Sequence, residues 1–278
     1  MGLSTFRTDM LQDNHLTKLV DFINSKDCFT TVDIGGGLCY FLRNRDQESD
    51  CTVINVSGTN KDTMIRPLNQ FGNMFIRSNK AISIIQKIQS KASSFVSEMA
   101  SPIDTFGIPS KVRGQKDYFD GAILLVHSDG ANSTKTSYID KSIVTKNHAL
   151  IDKYKVRISI LVPQNGEAGV RPERGYRSIS TPHIVYPGQV DSFSYLNIGF
   201  FDSEIEAENF RSYMMCKFPR FVLRTTYSSA HISQNNFVFV PMMDFTKKWN
   251  DAELYSYFGL SEDEIQLIEE TMRPMDKS

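Results

Sequence analysis

Long apolar runs, tryptophan and clustered cysteine are all scarce in this 278-residue sequence, which holds 1 Trp, 4 Cys and 5 His. No apolar run approaches the ~18–20 residues that a membrane-crossing helix needs, which argues against an integral helical membrane protein. Asp9, Asp13 and Lys18 interrupt the apolar core that a secretory signal would need. Cys28, Cys39, Cys51 and Cys216 are spread out with no Cys-x-x-Cys pair, so reduced thiols in a cytoplasmic protein are the simple expectation. His15, His127, His148, His183 and His231 do not gather around those cysteines, and no metal site is expected. Neither sign of charge dominates: 31 Lys+Arg stand against 32 Asp+Glu, a net −1. Taken whole, that balance argues against nucleic acid as a partner, because such domains usually carry a basic excess.

What is present changes that picture. Residues 1–66 hold 7 basic and 9 acidic side chains, residues 67–200 hold 16 and 10, and residues 201–278 hold 8 and 13. The middle is therefore basic and the tail acidic. Leu3, Phe6, Met10 and Leu11 recur at helical spacing, and 15–23 reads as a short strand. Runs 37–42 and 51–56, separated by a polar turn, predict an antiparallel hairpin. Ile76, Ile84, Ile85, Ile88, Phe95 and Met99 give 74–99 a helical face. Residues 121–126, 156–162 and 192–198 are strand candidates, with Lys153, Lys155 and Arg157 expected to point outward and keep the second of these soluble. In the tail, Ser203 with Glu206, Asn250 with Glu253 and Ser261 with Glu264 fit capping boxes. Trp249–Leu254 and Leu260–Ile265 sit at staple spacing.

The run from Val32 through Asp33, Ile34, Gly35 and Gly36 to Gly37 superficially matches the glycine loop by which S-adenosylmethionine or nucleotide folds let backbone approach a ligand. That chemistry requires a buried strand before and a helix after. Here a polar stretch precedes and the β-prone run 38–42 follows, so a tight turn entering a strand is the better reading.

The segment from Lys18 to Leu42 resembles the last part of the catalytic domain of N6-adenine DNA methyltransferases of the type II restriction–modification class. The runs Asp104-Thr-Phe-Gly-Ile108, Lys217-Phe-Pro-Arg-Phe-Val-Leu-Arg224, Phe239-Val-Pro-Met-Met-Asp-Phe245, Trp249-Asn-Asp-Ala-Glu-Leu-Tyr255 and 265–275 resemble later parts of the same family in order and spacing. The resemblance implies an α+β chain. Residues 1–66 would be a short mixed α/β remnant of the methyltransferase fold. Residues 67–278 would be a β-rich target-recognition domain with capped C-terminal helices. It implies double-stranded DNA as a partner, and a separate N-terminal methyltransferase half as a second. S-adenosylmethionine would serve the complete enzyme, which in this family is often fused to an endonuclease. The family's Asn-Pro-Pro-Tyr motif, its Phe-x-Gly-x-Gly cofactor loop and a Pro-Asp…Glu-x-Lys nuclease motif do not occur here. No catalytic residue and no bound cofactor are therefore expected of this chain alone.

The resemblance places Phe29 where an aromatic stacks on the flipped adenine, a base that needs a stacking partner once it leaves the duplex. The family pattern has Pro after this Phe and Lys at the position of Gly35, where this sequence has Thr30 and Gly35. Lys111, Arg113 and Lys116 surround Gly114, and Arg171, Arg174 and Arg177 surround Gly175, with Tyr176 among them as a candidate group for stacking on a base or wedging at a base step. Loops of this kind follow a DNA groove, arginine pairing with guanine or contacting phosphate, although solvated loop charge is the ordinary use of any one of them. Arg224 is a further DNA candidate, whereas Asn235 and Asn236 suit a turn before a strand over 237–240. Two other readings remain open: a small S-adenosylmethionine-dependent methyltransferase using 33–37, and a non-enzymatic protein-interaction module.

Overall fold

The computed structural model describes residues 3–31, 34, 37–128, 134–163, 175–227 and 231–275. Among them are seven α-helices and three small sheets, an α/β mixture. The first sheet follows helix α1 (Leu3–Gln12) and comprises β1 (Leu16–Phe22), β2 (Leu38–Arg43), β3 (Cys51–Ser57) and β4 (Asn60–Arg66), in the order β2-β1-β3-β4. The expected hairpin of β2 with β3 does not form. Both strands flank β1, β2 antiparallel to it and β3 parallel. Residues 44–50 instead cross the start of β1, where the amides of Asn44 and Ser49 donate to the carbonyls of His15 and Asn14. The hairpin is the next one, β3–β4, turning after Ser57 at Gly58. Leu11, Leu16, Cys51, Val53 and Leu68 fill one core of this sheet, and Val20, Phe22 and Val56 fill a second. The edge strand β2 leaves Tyr40, Phe41 and Leu42 half exposed.

Residues 76–79 tie that sheet to the rest through polar contacts. Arg77 pairs with the buried Asp21 at 2.7 Å. Asn79 donates to the Val53 and Asp62 carbonyls, and buried Arg66 donates to the Asn79 side chain and the Ile76 carbonyl. The helix expected over 74–99 is thus confined to α2 (Ile82–Lys91) and the single turn α3 (Val96–Met99). Between them, Ser94 to Val96 pair with backbone at 240–242, which holds that stretch extended.

The largest core lies under the second sheet, ordered β10-β7-β8 and antiparallel throughout. Its strands are β7 (Tyr154–Ser159), β8 (His183–Val185) and β10 (Tyr195–Phe201). Val156, Ile158, Leu196 and Ile198 pack with Phe210 and Met214 of α4 (Glu204–Met215) and with α5 (Lys217–Arg224), α6 (Asp251–Phe258) and α7 (Glu262–Thr271). Asn250 and Ser261 cap α6 and α7 with closed capping boxes. Ser203 stands at the N-cap of α4 but contributes only its backbone carbonyl, to the Ala207 amide. The strand expected over 237–240 is absent. Asn236 turns its side chain onto the Ser233 amide and the Thr226 carbonyl, closing a 3₁₀ turn over 234–237 in place of an extended ladder.

The third sheet, ordered β6-β5-β9, comprises β5 (Ala122–Ser128), β6 (Thr134–Asp140) and β9 (Gln189–Val190) around a small core of Phe106, Ile108, Ile123, Leu125, Ile139 and Val190. Gly107 has φ +71, and a Cβ there would lie 1.9 Å from the Thr145 hydroxyl oxygen, so the turn carrying Phe106 and Ile108 inward admits no side chain.

Lys155 and Arg157 overturn the expectation of outward, solubilising charges on β7, since both are fully buried. The Lys155 ammonium donates to the Ile151, Lys153 and Tyr186 carbonyls. Arg157 donates to the Val126 carbonyl of β5 at 2.7 Å, lies 3.8 Å from Asp191, and places its guanidinium 3.7 Å over the Tyr195 ring. Long cationic side chains reach polar acceptors across a thin core, an outcome that strand alternation cannot anticipate. Among the described residues, no helix is long and apolar enough to cross a membrane.

Burial pushes the Lys155 ammonium down to about 8, from about 10.4 in an unfolded chain. Between those values the unfolded chain binds more protons than the folded one, so stability rises with pH across that window. In urea denaturation, wild type is expected to gain stability relative to Lys155→Met as pH is raised from 8 to 10. A difference that does not change with pH would contradict this.

Candidate nucleic-acid interface

Tertiary structure commits much of the middle region's positive charge to the fold itself. Arg77 pairs with Asp21, Lys87 with Glu264, Lys146 with Asp104 and Lys153 with Asp202. Lys91 donates to the Tyr257 carbonyl, and Lys155 and Arg157 are interior. Arg171 and Arg174 lie outside the described residues. What remains exposed gathers mainly around the third sheet: Lys111, Arg113 and Lys116 on the loop before β5, Lys135 on β6, and Lys141 just after it. Asp117, Asp120 and Asp140 share that neighbourhood, which leaves it net positive. No ion pair among the described residues takes up Lys111, Arg113 or Lys116.

The loop that carries them is built, not loose. Val112 packs against the third sheet's core. Gln115 exchanges both backbone hydrogen bonds with Tyr138 of β6, at 3.0 and 2.9 Å, as an added rung on that edge. Gly114 makes this approach possible, because a Cβ there would lie 2.5 Å from the Tyr138 carbonyl oxygen and 2.6 Å from the Ser137 hydroxyl. Arg113 donates to the Ser110 and Val112 carbonyls, which shapes the loop while its side chain stays exposed. Gly121 at φ +80 closes the far end, its carbonyl accepting from the Lys141 amide. The loop thus presents exposed cations on a fixed backbone. Tyr118, beside them and 65% exposed, sets its ring edge-on to Tyr138, with centroids 5.5 Å apart. No sequence motif marks Tyr118 or Lys135; the only signal is the alternation of 134–140, which reads as a strand once β5 is known.

The second candidate loop is used differently. Gly175 at φ +80 backs onto the chain after α7, and Tyr176 exchanges hydrogen bonds with Thr271 and Arg273. Tyr176 is buried, and the Arg224 guanidinium lies 3.2 Å over its ring, so this face receives a protein cation where a base was expected. Arg177 donates to the Ile179 carbonyl and the Thr181 hydroxyl, within its own turn. Arg220, fully buried, donates to the carbonyls of Met215, Cys216, Arg177 and Arg273, which locks the turn to α5 and the C-terminal segment.

Phe29 belongs to neither loop. It follows the single 3₁₀ turn after β1, its amide donating to the Ser25 carbonyl, and its ring is 55% exposed. In the glycine run, residues 32, 33, 35 and 36 lie outside the described set. At Gly37, with φ +76, a Cβ would lie 2.1 Å from the Phe22 carbonyl oxygen and 2.6 Å from that of Ile23. Its glycine therefore serves the turn into β2, as expected. Among the described residues, no group of three or more His, Cys, Asp or Glu side chains could hold a metal ion.

No protein-family model and no curated protein matches this chain.

Gly114→Ala is expected to push the basic loop off β6 and to cost about 1–3 kcal/mol, the usual range for overpacking. The checks are a lowered unfolding midpoint and loss of hydrogen-exchange protection at the Gln115 and Tyr138 amides. Unchanged protection at both would contradict the close approach.

Proposed function

We propose that this chain binds double-stranded DNA sequence-specifically, as the C-terminal part of an adenine-N6 DNA methyltransferase of the restriction–modification class. The observation that carries the DNA-binding reading is the anchored loop bearing Lys111, Arg113 and Lys116, held to β6 and left without acidic partners among the described residues. Cations on a fixed backbone neutralise phosphates without the entropy cost of ordering a free loop, and the released counterions make such binding salt-dependent. Phosphate contacts would set register, and arginine would read guanine where it reaches a base edge. The assignment to adenine methylation rests on the ordered resemblance of 18–42, 104–108 and 217–275 to that family. In it, Phe29, exposed at the turn after β1, takes the stacking position for the flipped adenine.

The edge strand β2 supports a second partner. Leu38, Cys39, Tyr40, Phe41 and Leu42 carry no charge, and Cys39 to Leu42 are exposed along an outer edge of the sheet. A strand apolar on both faces has the composition of one buried within a sheet, whereas natural free edges carry charge. We assign to this edge an apolar strand of the polypeptide that holds the cofactor loop and the Asn-Pro-Pro-Tyr motif. Methyl transfer would need that second part, because this sequence contains neither motif.

Fluorescence anisotropy with mixed-sequence duplex DNA is expected to show binding that weakens as salt rises. Lys111→Ala/Arg113→Ala/Lys116→Ala is expected to lower the slope of log K against log salt by up to about 2.7, at ~0.9 for each phosphate no longer neutralised. Salt-independent binding, or an unchanged slope in the triple variant, would favour a protein-interaction module. With S-adenosylmethionine and duplex DNA, the chain alone is expected to transfer no methyl groups, and turnover by the isolated chain would overturn the division of labour proposed here.

A further inference from the structure

Tyr176, Tyr138 and Tyr118 lie on or beside the two candidate DNA-facing loops, and they differ in what their rings are free to do. The Tyr176 ring is buried beneath Arg224. Tyr138 is part of the β6 ladder and only partly exposed. Tyr118 is 65% exposed and stands on the basic loop itself, two residues beyond Lys116. We propose that Tyr118 is the residue of this surface that stacks on a nucleobase of bound duplex DNA, at a base step that the protein partly unstacks. This rests on the DNA-binding reading and deepens it by naming a contact that no motif assigns.

The geometry favours that role in three ways. First, the Tyr118 and Tyr138 rings meet at 87° with centroids 5.5 Å apart. An edge contact of this kind restrains the ring while using little of its surface, so less freedom is lost on stacking. Second, the backbone that carries Tyr118 is pinned on both sides, by the Gln115–Tyr138 hydrogen bonds before it and by the Ala122 amide on the Phe119 carbonyl after it. Third, Lys111, Arg113 and Lys116 would hold phosphates on the same loop, bringing the base stack to the ring. Side chains inserted at a base step from a basic surface are an established way of gaining contact area on a bent duplex, the unstacking cost being offset by the added contacts. Stacking depends on no charge, so it separates experimentally from the phosphate contacts.

The test measures binding of wild type, Tyr118→Ala, Tyr118→Phe and the Lys111/Arg113/Lys116 triple alanine variant to one mixed-sequence duplex across a salt series. Melting curves of each protein verify folding, which the high exposure of Tyr118 should leave intact. Tyr118→Ala is expected to weaken binding about 5- to 140-fold, the range that one base–aromatic stack is worth. Its salt slope is expected to equal that of wild type, and Tyr118→Phe is expected to keep the affinity. If Tyr118→Ala binds as wild type does while the triple variant loses affinity and slope, the stacking role is wrong and the DNA-binding reading stands. If wild type binds no duplex at all, both fail together.

Discussion

Arg157 makes the interaction on which the placement of the proposed DNA-facing surface depends. It rises from the central strand of the second sheet, is almost wholly buried, and donates to the Val126 carbonyl of the third sheet. Asp191, just beyond β9, lies 3.8 Å away and accepts from Asn197 of β10, whose amide also donates to Thr105. A chain of buried polar groups therefore crosses from one sheet to the other. Burial opposes charge on both partners: it lowers the Arg157 affinity for its proton and raises that of Asp191, while each partner's charge resists the change in the other. Removing one member of such a network strands the rest without compensation, which is why buried pairs of this kind specify geometry more than they add stability.

The consequence reaches the surface in a few steps. Arg157 holds β5, β5 pairs with β6 along its whole length, and β6 receives Gln115 and the basic loop through the gap that Gly114 leaves. Positive charge in this protein thus has two fates. Where carbonyls and carboxylates converge, it is drawn inside and becomes part of the scaffold, as with Lys155, Arg157, Arg66 and Arg220. Where the backbone is pinned and no carboxylate among the described residues forms an ion pair with it, as at Lys111, Arg113 and Lys116, it remains in solvent and is available to an anion.

The two proposed partner surfaces differ in the same physical sense. The β2 edge is apolar, and its attraction for a partner strand would come from burial and ladder hydrogen bonds, which depend little on salt. The loop before β5 is cationic, and its attraction for DNA would be dominated by counterion release. The surfaces belong to different sheets, so occupation of one does not require occupation of the other.

Local signals in the sequence located much of the secondary structure. The spacing of Leu3, Phe6, Met10 and Leu11, the apolar runs of β1, β5, β7 and β10, and the Asn250 and Ser261 caps all depend on neighbours within a few residues, and they appear where expected. The regional excess of basic residues in 67–200 was equally plain, as was the role of Gly37 in a turn. Pairing was not, because which strand lies beside β1 is decided by where 44–50 crosses the sheet and not by either strand's own composition. Nor was the fate of each charge. Lys155 and Lys116 are the same residue type, but one meets the carbonyls of nearby Ile151 and Lys153 together with that of Tyr186, far along the chain, and the other meets solvent. Residue order and composition thus set the local elements and the amount of charge. Which strands pair, and which cations stay outside, was settled by the folded arrangement, because both depend on acceptors brought from far along the chain.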